Sequence, residues 1–390
     1  MTVRWPSRMN CRNPRAASIG PTPTDDPNFG SGAGNTRIHW LCYQNDDMFP
    51  DLVNRNGRDA VRTRKFGRTG LVTPEVVFGG GWVGGVLIHT DEETRRAAFR
   101  RALDAGIDWI DTAASYGDGE SERTIGRLVA ETPADRRPRI STKARLDLES
   151  GEPFDRQLRD SLERSLERLG LPKVELFQLH NPVLPATGDG NIAADAVLAA
   201  GGVADAMDRL RADGLCDHIG FTALGDAASC IRVVESGRFD TAQVYLNMLN
   251  PTAALPARGA LDVQDFSGLL EACRRADLGV MAIRVFAAGV LATDDRHGRE
   301  VPITSEGGDL GLQARRARAV FGAVGPDCGT RAQRALRFVL AEPRVSCAVV
   351  GLAEVAHLEE ALAGAEMGPL PDAALAALRQ VWDRNFGLGS

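Results

Sequence analysis

Hydrophobic and polar positions change period repeatedly along this chain. From about residue 63, short apolar runs alternate with amphipathic stretches. The runs are Val76–Gly81, Ile107–Asp111, Arg139–Lys143, Val174–His180, His218–Thr222, Thr241–Leu246, Gly279–Arg284 and Ser346–Gly351. Between them lie helical patterns. Phe154–Leu169 carries Leu158, Leu162, Leu166 and Leu169 on one face, the spacing of an amphipathic helix. Thr90 followed by Glu93 reads as a capping box, opening a helix that runs to Ala105 and stops at Gly106. Further helices are expected at Glu122–Ala130, Ala227–Glu235 and Phe266–Ala276.

Strand and helix in regular alternation imply parallel strands joined by right-handed crossovers. Eight such units predict a closed (β/α)8 TIM barrel rather than an open doubly wound sheet. A Rossmann sheet would carry GxGxxG after its first strand, and "FGGGWVGG" lacks that spacing. Two stretches on the C-terminal side of the strands, 181–199 and 287–312, are long enough to be active-site loops.

Residues 1–62 break the pattern. They hold Pro, Gly, Asn and Asp clusters without periodicity, which predicts a disordered or spurious leader ahead of a barrel at 63–390. Arg4, Arg8, Arg12 and Arg15, with no acid among the first residues, resemble a transit peptide only weakly.

Composition narrows the function. The 390 residues are 43% hydrophobic and 25% charged, an ordinary globular balance. A net charge of −6 argues against nucleic acid as a partner, and no apolar run is long enough to span a membrane. Seven cysteines without a CxxC pair predict neither a disulfide framework nor a zinc site, and a reducing, cytoplasmic location. Only three of the 46 basic residues are lysine (Lys65, Lys143, Lys173), and tyrosine also occurs three times (Tyr43, Tyr116, Tyr245).

That scarcity gives weight to what closes the strands. Barrel enzymes keep their chemistry at strand C-termini. Here the second, third and fourth strands end at Asp111, Lys143 and His180, with Tyr116 in the loop after the second. Each alone has a plain structural explanation: a turn residue, a solvated amine, a hydrogen-bonded imidazole. Together at one rim they form a proton-transfer set. A phenol is a weak acid, with an ordinary pKa of about 10. An ammonium about 4 Å away favours its anion by roughly 4 kcal/mol at an effective dielectric near 20. Asp111 would keep Lys143 charged against burial, and His180 could donate to a substrate oxygen. No metal-ligating cluster and no nucleophile accompany them, so no metal is expected. Alkoxide chemistry without either points to hydride transfer from a nicotinamide-like cofactor.

These segments resemble the aldo-keto reductase superfamily. "WIDTAASYGDGESERTIGRLV", "STK" and "ELFQLHNP" match its catalytic segments, and "FGRTGLVTPEVVFGGG" matches its opening hairpin and first strand. The resemblance covers about residues 63–385. It implies Asp111, Tyr116, Lys143 and His180 as a catalytic tetrad and NAD(P)(H) as cofactor. It also implies cofactor contacts at Thr222, Gln243, Phe286, Gly289, Leu291, Gly351, Glu354 and Glu360. Arg284 would touch a cofactor phosphate or be an ordinary rim charge. Two positions depart from the family: Ala223 replaces an asparagine and Ala361 another. The segment 349–363 has no Lys or Arg and carries Glu354, which would repel a 2′-phosphate and accept from a ribose hydroxyl. The expectation leans to NAD(H). Trp82 would line the substrate pocket or be a core aromatic. The implied reaction is hydride transfer between nicotinamide and a small carbonyl or alcohol substrate. Two alternatives stand beside it: an NAD-dependent aldose dehydrogenase forming a lactone, which "GFTAL" favours, and a cofactor-binding regulatory subunit without turnover.

Overall fold

The structure is a computed structural model, and it describes residues 61–255, 261–296, 298–301, 303–304 and 308–388. The leader expected at 1–62 therefore lies almost wholly outside the described residues. Eight parallel strands close into a barrel. They are β1 Val76–Gly79, β2 Trp109–Asp111, β3 Arg139–Ala144, β4 Val174–Leu179, β5 Cys216–Ala223, β6 Thr241–Tyr245, β7 Gly279–Ile283 and β8 Cys347–Gly351. Each hydrogen-bonds to the next, and β8 pairs with β1. This is the (β/α)8 fold expected from the sequence.

Around the barrel lie α1 Glu92–Asp104, α2 Glu120–Ala130, α3 Phe154–Leu169, α4 Val203–Ala212, α5 Ala227–Glu235 and α6 Leu269–Arg275. They are followed by α7 Leu310–Val324, α8 Arg331–Leu340, α9 Val355–Glu366 and α10 Asp372–Asp383. In α3 the predicted leucine face is buried, packing the helix on the strands. α1 corrects the expected capping box. Its N-cap is Asp91, whose carboxylate accepts from the Thr94 backbone N–H at 2.8 Å, while the Thr90 hydroxyl donates back to the Val86 carbonyl. Asp91 is the residue whose backbone turns into the helix, and capping follows that turn. α2 begins two residues earlier than expected, at Glu120.

The barrel interior is layered. Its floor is a hairpin of strands Thr63–Lys65 and Val72–Pro74, whose turn inserts Phe66 among Trp109, Leu176, Met281 and Cys347. Glycine is required where this plug meets β7: a Cβ on Gly67 (φ +54°) would lie 2.2 Å from the Gly279 nitrogen. Above this apolar floor the inward positions become polar, and that layer is the candidate site. The 181–199 segment holds two short paired strands and a short helix rather than open loop.

Candidate active site

β2 delivers Asp111 at its last residue, and β3 delivers Ser141 and Lys143 two residues apart on the same face. Strand register then assembles the set. Asp111 pairs with Ser141, Lys143 with Gln178, and Thr222 with Gln243. In-register neighbours on parallel strands project to the same side, so these polar side chains share the barrel axis.

Asp111 is the hub. Its Oδ2 accepts from Lys143 Nζ at 2.6 Å. Its Oδ1 accepts from Ser141 Oγ at 2.8 Å, Gln243 Nε2 at 2.9 Å and Gln178 Nε2 at 3.2 Å. Lys143 also donates to the Thr112 carbonyl at 2.7 Å, tying the start of the Tyr116 loop to the strand beside it. Both members of the ion pair are buried. Burial opposes the lysine's charge, but the Asp111 carboxylate, and Tyr116 after it, outweigh that and hold its pKa above the ordinary range.

Tyr116 stands over this pair. Lys143 Nζ is 5.0 Å from the centre of its ring. The His180 ring meets the Tyr116 ring edge-on at 5.8 Å. His180 follows β4 directly and is fixed by its backbone N–H, which donates to the Ala144 carbonyl. The residue as a whole is half-buried. Burial, and then the nearby charges of Lys143, Arg145 and Arg284, push its pKa down to about 3. It is therefore neutral at working pH and offers one N–H. The four sequence-predicted residues are thus brought together.

The positions expected to hold cofactor divide into three groups. The first lies at the barrel mouth. Thr222 is buried with its hydroxyl unpartnered, and so is the amide oxygen of Gln178. Orphaned buried polar atoms of this kind fit a ligand amide that would satisfy them. Gln243 is close by, with its N–H turned to Asp111. The second group follows β7. Arg284, Phe286 and Gly289 stand in the turn there, and the Leu291 side chain is buried in the core, leaving it only a backbone role. The third group surrounds the end of β8, where Gly351 and Glu354 are exposed and Glu360 accepts from the Thr330 hydroxyl. Trp82 is 40% exposed, so it is not a core aromatic. It follows Gly81, where a Cβ would sit 3.9 Å from the Tyr116 ring.

Sequence reasoning passed over Ser141 and Gln178. Both stand two residues before a predicted catalytic residue, the same-face spacing of a strand, and that period was the signal available.

A family model for the aldo/keto reductase family matches residues 75–383. D-threo-aldose 1-dehydrogenase from a Pseudomonas species is 29% identical over 260 residues, 59% of this chain and 71% of that protein. Human aflatoxin B1 aldehyde reductase member 2 is 28% identical over 320 residues, 75% of this chain and 82% of its own. A solved aldo-keto reductase from Klebsiella pneumoniae, in complex with NADPH, matches with a TM-score of 0.60 at 21% identity, covering 85% of this chain and 99% of that one. Fold, site and family model coincide, and the chain belongs to the aldo/keto reductase family of oxidoreductase enzymes.

Proposed function

We propose that this enzyme transfers hydride between a nicotinamide cofactor and the carbonyl or carbinol carbon of a small substrate, with Tyr116 as the acid/base. The observation that carries the reading is the buried Lys143–Asp111 pair at 2.6 Å lying beneath Tyr116 and His180. The bound cofactor supplies or accepts the hydride. In the reducing direction Tyr116 gives its hydroxyl proton to the substrate oxygen. The Lys143 ammonium stabilises the phenolate that remains, and Asp111 keeps that ammonium charged and in place. Neutral His180 donates its N–H to the same substrate oxygen and orients it. In the oxidising direction the phenolate takes the proton back. Thr222 and Gln178 carry the unpartnered atoms suited to the nicotinamide amide.

Acid/base assistance of this kind is worth about 10²- to 10⁴-fold. Tyr116→Phe should lose turnover on that scale while still binding cofactor, and near-full turnover in that variant would sink the assignment. The similarity to D-threo-aldose 1-dehydrogenase favours a second reading, oxidation of an aldose to a lactone, tested by supplying aldoses with NAD⁺. A regulatory subunit without turnover is disfavoured, because a sensor has no need of the complete tetrad.

For the cofactor we infer NAD(H). Glu354 is exposed at the start of α9 without a capping hydrogen bond. Arg101, which reaches α9 from α1, is engaged with Glu359. A free carboxylate there repels a 2′-phosphate. Titrating tryptophan fluorescence with NADH and NADPH tests this: tighter NADPH binding overturns it.

A further inference from the structure

Arg284 is held in a way that packing alone does not explain. It follows β7 with φ +59°, and Ala287 and Ala288 after it also lie at positive φ, +45° and +56°. A long side chain in that region is strained, and such strain concentrates at functional positions. The backbone is pinned there. The Arg284 carbonyl accepts from the Ala287 N–H at 2.8 Å and from Asn247 Nδ2 at 3.0 Å.

The guanidinium is half-buried, and among the described residues its one side-chain hydrogen bond is to the Val301 carbonyl at 2.8 Å. Among the described residues, no carboxylate lies in ion-pair range of it. Arg334 and Arg337 also lack a carboxylate, but each directs its donors to three backbone carbonyls. Arg284 leaves most of its donors free. They border a shallow, solvent-open cleft lined by Tyr245, Arg284, Ala288, Val301 and Gln313, with Glu300, itself partnered, also on its wall. Tyr245 ends β6, two residues beyond Gln243, so the cleft adjoins the catalytic mouth.

Across the ring, Arg145 follows β3. It is exposed, with a single hydrogen bond to the Gly190 carbonyl at 3.2 Å and no carboxylate partner among the described residues. β3 and β7 stand opposite each other in the closed barrel, so Arg145 and Arg284 flank its mouth, and both charges help to lower the His180 pKa. Asp111, the acid at the centre, is already matched by Lys143.

We propose that the enzyme acts on carbonyl or alcohol substrates that carry a carboxylate, received by Arg284 in this cleft with Arg145 attracting it from the opposite rim. This rests on the hydride-transfer reading above. A partly buried guanidinium lacking a counter-ion is costly, and its planar fork binds a carboxylate through two parallel hydrogen bonds. A neutral substrate would cover that charge without answering it.

The test uses two probes of the same shape, 4-carboxybenzaldehyde and its neutral analogue 4-formylbenzamide. Each is titrated into the full-length protein saturated with oxidised cofactor, following tryptophan fluorescence. The carboxylate should bind at least about tenfold more tightly at low salt, with the margin shrinking as ionic strength rises. Arg284→Gln should collapse that ratio toward one. Arg284→Lys, which keeps the charge but not the fork, should retain part of it, and Arg145→Gln should lower it by less. Equal affinities in the wild type overturn the proposal. So does an Arg284→Gln protein that weakens both aldehydes alike, or that weakens cofactor binding rather than the ratio, since Arg284 then serves the cofactor. If Arg284→Gln does not fold, the wild-type ratio and its salt dependence decide. Turnover with reduced cofactor is read separately. A carboxylate preference without turnover supports the anion site and defeats the hydride-transfer reading, while turnover without preference does the reverse.

Discussion

Asp111 receives Lys143, Ser141, Gln178 and Gln243, and the whole site hangs from that carboxylate. Removing the cation leaves a buried carboxylate uncompensated. Lys143→Met should therefore cost about 3–5 kcal/mol in urea unfolding, and adding Asp111→Asn should recover part of the loss. A Lys143→Met protein as stable as the wild type would show that the pair contributes nothing to folding. His180 gives a pH prediction. Its pKa is about 3 in the fold against an ordinary 6.5. Between those values the unfolded chain takes up a proton that the folded site refuses. Stability attributable to this residue thus falls as pH drops from about 6.5 to about 3 and levels off below. His180→Gln should flatten the acid limb of a Tm-against-pH curve relative to wild type, and superimposable curves would contradict the assignment. That Asp111, Tyr116, Lys143 and His180 would lie together was legible in the sequence because Asp111, Lys143 and His180 interrupt apolar strands at their ends. Ser141 and Gln178 sit inside strands, where the two-residue spacing to Lys143 and His180 puts them on the same face but does not show that they bond Asp111 on a neighbouring strand until the register is known.

At the level of elements, close approach between neighbouring strands sets what β5 can contain. Gly220 lies opposite Thr241 in the β5–β6 register, and a Cβ there would be 2.1 Å from Thr241 Oγ1 and 3.2 Å from Gln178 Cγ. Thr241 is fully buried and short, so it cannot swing away. Gly220→Ala should destabilise by about 1–3 kcal/mol through overpacking. It should also lower turnover, since the displaced Gln178 holds Asp111. Thr241→Ala combined with Gly220→Ala should relieve much of both effects, and failure of that rescue would point to a cause outside this contact. The strands and most helices were legible because period 2 and period 3.6 are local signals. Two elements show where locality ends. At α1, Thr90 and Asp91 both carry a capping oxygen, and the chain's turn selects Asp91. The long loops have no period, so the paired strands Val183–Leu184 and Ile192–Ala193, and the positive-φ turn at Arg284, could not be read from spacing.

Across the whole molecule the floor of the barrel and its chemistry are mechanically continuous. Phe66 is fully buried and meets Trp109 edge-on at 5.1 Å. Trp109 Nε1 donates to Ser141 Oγ at 3.2 Å, and Ser141 donates to Asp111. On the other side of the axis, Met281 belongs to the same apolar floor and its sulfur lies 4.0 Å from Gln243 Nε2. A plug contributed by the hairpin before β1 therefore supports the residues that orient the Asp111 carboxylate from below. Phe66→Ala should cost about 3–5 kcal/mol, the range for an aromatic removed from a core that cannot collapse around the gap. Closure of the barrel prevents that collapse, because each strand is held by two neighbours. Phe66→Leu, which fills most of the volume, should cost less. The discriminating measurement is turnover well below the melting transition of each variant. If the floor positions Trp109 and through it Asp111, Phe66→Ala should lower kcat while the protein is still folded, and Phe66→Leu should restore most of it. If kcat is unchanged in folded Phe66→Ala protein, the plug acts on stability alone, and the strand ends hold the tetrad without help from beneath.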